Sequence, residues 1–376
     1  MTIREGAQRR RRWLERSGIV DVELYRRHSV VMAVRRDGAG RWERRDGEDV
    51  GTAIRWVDDD GRIRFTAGTG DGPAPETAHP QSLIEERSSG APWRSDPQVD
   101  GPVGPHRQAY NPIDPLRQLE EELRPHLPGS VRMGDRQVEI ARIDEDWEVT
   151  GGRAGRSRDR FWSRVQFEAE GETDPPPITV SSQDPWSAVW VARQRCADFE
   201  GGASHPRYLL LPPEQAAALT RQLAGWWSRR AESGERNSVG PGWVVKDDPS
   251  DPRGTIQARF DDALFETRIT RLADGRRLVA ALPEVGGQRR GSFRDPPSVA
   301  PWHLVVEPQT VAPTSATCVA TAATLQVLDG ERWAFVNRQR HWSFSPEEWT
   351  RRCVGGVGGA LTTHIDVTTP GLLIEL

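Results

Sequence analysis

Lysine is nearly absent from this chain: Lys246 is the only one among 51 Lys and Arg residues. Asp and Glu together number 55, so the formal net charge is -4. That balance excludes the basic surplus of a protein that lives on nucleic acid. With abundant Ala, Gly and Pro, the arginine bias reads as the codon usage of a GC-rich genome, which points to a bacterial source. Cysteine is scarce as well. Cys196, Cys318 and Cys353 form an odd, widely spaced set, which excludes a disulfide framework and suits a reducing cytoplasm. Long hydrophobic runs are missing too. No segment approaches the ~18 apolar residues of a membrane helix. The basic stretch Arg9 to Gly18 lacks the apolar run of a secretory signal, and reads as part of a solvated first helix over Arg4 to Ser17. Hydrophobic residues reach only 36%, a lean core that fifteen tryptophans partly make up for.

What is present has clear periodicity. From Val20 to Val34 apolar residues alternate, as in a strand. Asp-Gly turns then join further short strands up to residue 70, an antiparallel meander. Residues 71–111 are rich in Pro, Gly, Ser and Asp and read as an exposed linker, with a helical turn at Pro80 to Arg87. A helix follows near Asp114, ending by Pro125, then strands in "VRMGDRQVEIARIDEDWEV", "RDRFWSRVQFEAEG" and "PPPITVSSQ". A further helix covers Pro185 to Phe199. "RYLLLPPEQAAALTRQLAGWWSRR" is a strand, a proline start signal and an amphipathic helix. The chain is then mostly β, with strands expected at "GWVVKDD", "TIQARFDD", "FETRITRLADGRRLVAAL", "HLVVEP", "TLQVLDGERWAFVNRQRHWSF" and "LTTHIDVTTPGLLIEL". A short helix interrupts them at Pro346 to Cys353. The fold class is α+β: an N-terminal mixed domain, with its meander at 1–70, a flexible linker at 71–111 and its remainder at 112–200, followed by a β-rich C-terminal domain at 201–376.

Several segments, in collinear order, resemble the TldD/PmbA (TldE) family. Asp247, Asp248 and Pro249 after a strand, then Phe260 and Asp261, then Gly275 in a turn match its C-terminal domain. "GSFRDPPSVAPWHLVVEP" and the opening meander resemble further family segments. Where the family usually has Asp-x-Glu-Gly, this chain has Asp261-Asp262-Ala263-Leu264. The resemblance implies a C-terminal domain of TldD/PmbA type. It also implies that catalytic TldD-type subunits carry HExxxH on the helix after "LLLPPEQ", with two histidines on zinc and the glutamate as base. At those positions this chain has Arg221, Gln222 and Trp226. Arginine stays protonated and cannot ligate zinc, glutamine is no base, and tryptophan offers no lone pair. The three are therefore degenerate motif positions, left with at most a substrate-binding role. A plain core helix accounts for them equally, with Leu219, Leu223 and Trp226 or Trp227 as its apolar stripe. The tail from Cys353 resembles the catalytic type, in which such a cysteine supplies a further zinc ligand, so Cys353 reads as either a remnant ligand or a small buried residue. A rebuilt set of Cys353 with His364, His303 or His205 is the alternative. "GGVGG" at Gly355 to Gly359 lacks the rest of a phosphate loop and reads as a tight glycine loop. The run Asp58 to Asp60 reads as a hairpin turn.

The resemblance implies a silent, TldE-like subunit with no catalytic residue and no cofactor of its own. It would pair with a zinc-bearing, HExxxH-containing TldD-type subunit in a cytoplasmic metalloprotease that processes unfolded or modified precursor peptides. The alternatives are a stand-alone biosynthetic enzyme with a metal site around Cys353, and a peptide-binding protein. Neither nucleic acid nor membrane is an expected partner.

Overall fold

The computed structural model describes residues 22–57, 62–69, 82–87, 111–126, 132–149, 156–170, 178–182, 185–186, 188–189, 208–211, 213–234, 242–254, 257–283, 286–307, 319–321, 324–329, 332–336, 341–364 and 366–376. The expected first helix, the Asp58 to Asp60 turn, Cys196, His205 and Cys318 lie outside them. The architecture is α+β. The first half builds a seven-stranded antiparallel sheet from β1 (Val22–Arg36), β2 (Trp42–Val57), β3 (Arg62–Thr69), β4 (Ser82–Arg87), β5 (Arg132–Val149), β6 (Arg156–Glu170) and β7 (Ile178–Ser182), in the order β4-β3-β2-β1-β5-β6-β7. The alternation legible in the sequence sets the register: Leu24 faces Ile54 on one neighbour and Glu148 on the other. The helix expected near Asp114 is α1 (Ile113–Leu123). Its Leu116, Leu119 and Leu123, at helical spacing, are fully buried against Val138, Ile140, Val165 and Phe167 of the sheet.

The second half forms an eight-stranded sheet. Its members are β8 (Tyr208–Leu211), β9 (Val244–Asp247), β10 (Thr270–Asp274), β11 (Arg277–Leu278), β14 (Leu304–Glu307), β15 (Val319–Thr321), β19 (Cys353–His364) and β20 (Val367–Glu375). They run β11-β10-β9-β14-β20-β8-β15, with β19 on β20. The β14–β20 and β8–β15 pairs are parallel. Two small sheets accompany it: β12 (Gln288–Arg289) with β13 (Ser298–Val299), and β16 (Thr324–Asp329), β17 (Arg332–Val336) and β18 (His341–Phe344). Helix α2 (Pro213–Glu232) starts on proline and ends its last turn in Arg229 and Arg230, both of which suit the helix termini. It buries Leu219, Leu223 and Trp227 in a core with Leu209, Leu304, Val306, Leu372 and Ile374. Trp227, not Trp226, completes the apolar stripe. Its Nε1 donates to Thr350 Oγ1 of α3 (Pro346–Arg352). That short helix opens with a full capping box, Ser345 with Glu348. Its Trp349 is fully buried, with Phe335 and Phe344 edge-on at 5.2 and 4.8 Å.

Three local expectations are corrected. The stretch from Ser82 to Arg87 is a strand, not a helical turn, because β3 offers it an open row of backbone groups. "TIQARFDD" forms no strand among its described residues beyond one bridge, Phe260 to Glu266. There the Asp261 carboxylate takes amides that a ladder would have used. The glycine run from Gly355 lies within β19 instead of forming a loop, and the register slips between Val357 and Thr362.

The two sheets are joined through a cluster in which Tyr25, Ala53, Phe65 and Trp147 of the first meet Phe260, Ala263, Leu264 and Phe293 of the second half. Gly51 permits the contact, since a Cβ there would sit 2.2 Å from the Phe293 ring. Inside this contact Glu23 accepts from Arg55 Nε at 2.6 Å and from Arg290 Nη2 at 2.9 Å, and all three residues are buried. No helix among the described residues is long and apolar enough to cross a membrane.

Candidate functional site

Polar residues gather at one end of the eight-stranded sheet, where β9 ends and β14 and β20 begin. The segment from Asp261 to Arg290 shapes it. Asp261 is fully buried, and its carboxylate accepts four amides: Ala263 and Phe265 on Oδ1, Gly286 and Gln288 on Oδ2. Asp262 accepts the Arg290 amide. Leu264 adopts φ +68°, the left-handed region that glycine favours. This is the position where the resemblance leads one to expect glycine, so the turn geometry is kept although the residue is not. Gly286 has φ +86°, and a Cβ there would fall 2.4 Å from the Glu266 carbonyl oxygen. These anchors fix residues 288–290 as extended chain, in which neighbouring side chains point opposite ways. Arg290 reaches Glu23 in the first sheet, and Arg289 reaches Asp366. Asp261→Asn replaces one oxygen by a donor that faces the Gly286 and Gln288 amides, or those of Ala263 and Phe265. The expected loss is about 2 kcal/mol in urea denaturation. A loss under about 0.5 kcal/mol would mean that the four amides find other acceptors.

Asp366 is the centre of the site. It precedes β20, and its carbonyl accepts the Leu304 amide at 2.8 Å. Arg289 Nη1 donates to its Oδ2 at 2.8 Å and also to the Pro301 carbonyl. Arg221, from the middle of α2, donates to Oδ1 through Nε at 2.9 Å and through Nη2. Burial alone would raise the Asp366 carboxyl, but Arg289 and Arg221 outweigh it and hold it below the ordinary carboxylate value. The Asp-Asp-Pro turn lies alongside. Asp247 Oδ1 accepts the Trp302 and His303 amides at 2.9 and 2.8 Å, and burial pushes this carboxyl up to about 7. His303 is 1% exposed, and its Nε2 meets Thr368 Oγ1 at 2.9 Å. Its Nδ1 has no hydrogen-bond partner among the described residues. Burial pulls the imidazole down to about 4, although Asp251 and Asp366 favour its protonation. Arg253 in turn holds Asp251 down to about 2. Lys246 bridges Glu307 at 3.1 Å and Asp248 at 3.6 Å.

The sequence-derived site residues separate here. Arg221 belongs to this cluster. Gln222 is exposed on the next helix position, and Trp226 is partly buried beneath the Arg230 guanidinium, 4.9 Å from its ring centre. The zinc that the fold family implies does not fit these residues. A permanent cation already occupies Asp366, and no group of three His, Cys, Asp or Glu side chains among the described residues forms a ligand set. Cys353 is not a member of the site either. It pairs with Ile374 near the far end of β20. Eight residues of strand, roughly 25 Å, separate that point from Asp366. His364 stands at the opposite end of β19 from Cys353, and His303 lies by Thr368, so neither can join Cys353 on one metal ion. Burial among apolar side chains pushes the Cys353 thiol up, as for an inert core cysteine. Asp366 and Arg289 were not among the residues that sequence reasoning named. The one local signal for Asp366 was a carboxylate set immediately before a strongly apolar terminal strand.

No family model matches the sequence, and no curated protein matches it. Solved structures do. TldE from Thermococcus kodakarensis superimposes with a TM-score of 0.67 at 12% identity, covering 98% of this chain and 98% of that one. A proposed modulator of a DNA gyrase from Thermotoga maritima MSB8 gives 0.64 at 13% identity, covering 100% and 99%. A third, from Bacteroides thetaiotaomicron VPI-5482 and with a similar description, gives 0.65 at 12% identity, covering 99% and 97%. Over its whole length, then, this chain has the fold of the TldD/PmbA (TldE) family.

Proposed function

We propose that the protein is the catalytically silent, TldE-like subunit of a heteromeric metalloprotease in the cytoplasm. It pairs with a zinc-bearing, HExxxH-containing subunit, and the pair processes unfolded or modified precursor peptides. One observation carries this reading: Arg221, where a metal ligand would stand, is committed to the Asp366 carboxylate, with Arg289 on its other oxygen. Gln222 cannot serve as the base. A free-standing protease cannot lose ligands and base together and still act, whereas a subunit can, provided its fold still supports a partner's site. The fold match to TldE from Thermococcus kodakarensis favours the same reading. A metal site rebuilt around Cys353 has no support in the geometry above. The test is coexpression with an HExxxH-bearing family member encoded beside this chain, followed by gel filtration and assay on a candidate precursor peptide. We expect one peak, zinc that follows the partner, and cleavage that needs both chains. An obligate interface of this kind buries over ~2,000 Å² and survives micromolar dilution. Separate elution, with full activity from the partner alone, would reject the proposal.

A further inference from the structure

We infer that the Arg221–Asp366–Arg289 cluster is a carboxylate-binding subsite, which receives a carboxylate group of a bound peptide. The inference rests on the peptide-processing reading and adds a recognition chemistry to it. Two guanidiniums share one carboxylate, so the trio carries a surplus positive charge. Asp366 is buried, but the arginines are not: Arg221 exposes 34% of its side chain and Arg289 18%. Each spends only part of its donor set. Arg221 uses Nε and Nη2, both on Oδ1, and Arg289 uses Nη1 alone. Arg221 Nη1 and Arg289 Nε and Nη2 therefore make no hydrogen bond among the described residues.

Asp366 is a positioning residue in this arrangement. By engaging both forks from beneath, it fixes their planes and removes much of the rotamer freedom that a ligand would otherwise have to freeze. Further anchors hold the pair. Arg289 rests 5.6 Å over the Trp302 ring and donates to the Pro301 carbonyl, and its chain segment is held by the Asp261 and Asp262 carboxylates. A further carboxyl, Asp247, feels the charge of Arg289 but accepts the Trp302 and His303 amides on Oδ1, and it makes no hydrogen bond to either arginine among the described residues. Planar donors left over on two pre-oriented guanidiniums suit a carboxylate, which they can engage through paired hydrogen bonds.

A peptide offers a carboxylate from two sources, its C-terminus or an Asp or Glu side chain, and the test separates them. The full chain is titrated calorimetrically with three probes: N-acetyl-Ala-Ala-Ala-Leu with a free carboxylate, its C-terminal amide, and N-acetyl-Ala-Glu-Ala-Leu amide. We expect the free acid to bind at least about tenfold more tightly than the amide. That gap should shrink to near unity in both Arg221→Gln and Arg289→Gln. If the glutamate-containing amide matches the free acid with the same arginine dependence, the subsite stands and reads a side chain. Equal binding of acid and amide by the unaltered protein overturns the inference, whatever the variants do, and leaves peptide binding itself intact. A preference that survives both substitutions, or no binding of any probe at millimolar concentration, overturns it as well. The subunit proposal is read separately, by coelution with the partner.

Discussion

Glu23→Gln is expected to cost the protein about 3–5 kcal/mol of stability. The Glu23 carboxylate accepts from both the Arg55 and the Arg290 guanidinium in the contact between the two sheets. Exposure is 0% for Glu23, 3% for Arg55 and 2% for Arg290. Burial lowers the affinity of Arg55 for its proton, and Glu23 works against that. The glutamine keeps the shape and one acceptor but removes the carboxylate that both cations hydrogen-bond to, and leaves Arg55 with only the weaker pull of Asp261, in a site that water barely reaches. Tyr25, which stacks 4.7 Å beneath Arg290 and donates to Glu145, would lose its register with them. The measurement is urea unfolding of the variant beside Glu48→Gln, which weakens only the exposed pair with His28 and should change little. A loss below about 1 kcal/mol for Glu23→Gln would mean that water reaches the triad.

His303→Gln and Asp247→Asn are expected to change the pH dependence of stability in opposite directions. His303 falls from 6.5 to about 4 on folding. Below pH 6.5 the unfolded chain therefore binds a proton that the folded chain refuses. Its contribution to stability is complete above 6.5 and is lost as the pH falls to about 4. Asp247 rises from 3.8 to about 7. The folded chain then holds a proton that the unfolded chain has released, so this contribution is complete below 3.8 and is lost as the pH rises to about 7. Between pH 4 and 6.5 each state carries one of the two protons, so the slopes of these two groups cancel and the parent's own slope comes from other groups, among them Asp261, which burial raises to about 6. Removing one group exposes the other, at about 1.4 kcal/mol per pH unit for one proton. Relative to the parent, His303→Gln should gain stability on acidification through that window, by about 3 kcal/mol in all. Asp247→Asn should lose a similar amount. Urea unfolding at several pH values reads both. Variant slopes parallel to the parent's would show that neither group is perturbed.

The parts of this protein that follow local rules were legible in the sequence. Alternation gave the meander of the first sheet, and helical spacing gave Leu116, Leu119 and Leu123 of α1 their common face. What escaped was decided by partners distant in the chain. Trp226 and Trp227 satisfy the helical pattern about equally, and Trp227 is the one that meets distant partners in the interior, the β-sheet core residues and Thr350, 123 residues on. "TIQARFDD" has strand composition, but the Asp261 side chain captures the amides. The candidate site depended on contacts of the same kind. Arg221 could be placed from its motif position, yet its partner Asp366 lies 145 residues away. Nothing in the composition of "HIDV" announces a counter-ion for two arginines. Cys353 shows the converse error. Its place near a glycine-rich tail suggested a ligand, whereas strand register sets it at the opposite end of β20 from the polar cluster.

The solitary lysine has a practical consequence for mapping any complex this protein forms. Lys246 is tethered between Glu307 and Asp248 and exposes 26% of its side chain, so even that one ε-amine is partly withheld from reagents. Amine-reactive cross-linkers, the usual chemistry for locating subunit contacts by mass spectrometry, would return almost no restraints from this chain. Silence from such an experiment would say nothing about whether a partner is bound. Coupling through carboxylates, or arginine-directed dicarbonyl reagents, would instead reach a surface that is well supplied with both.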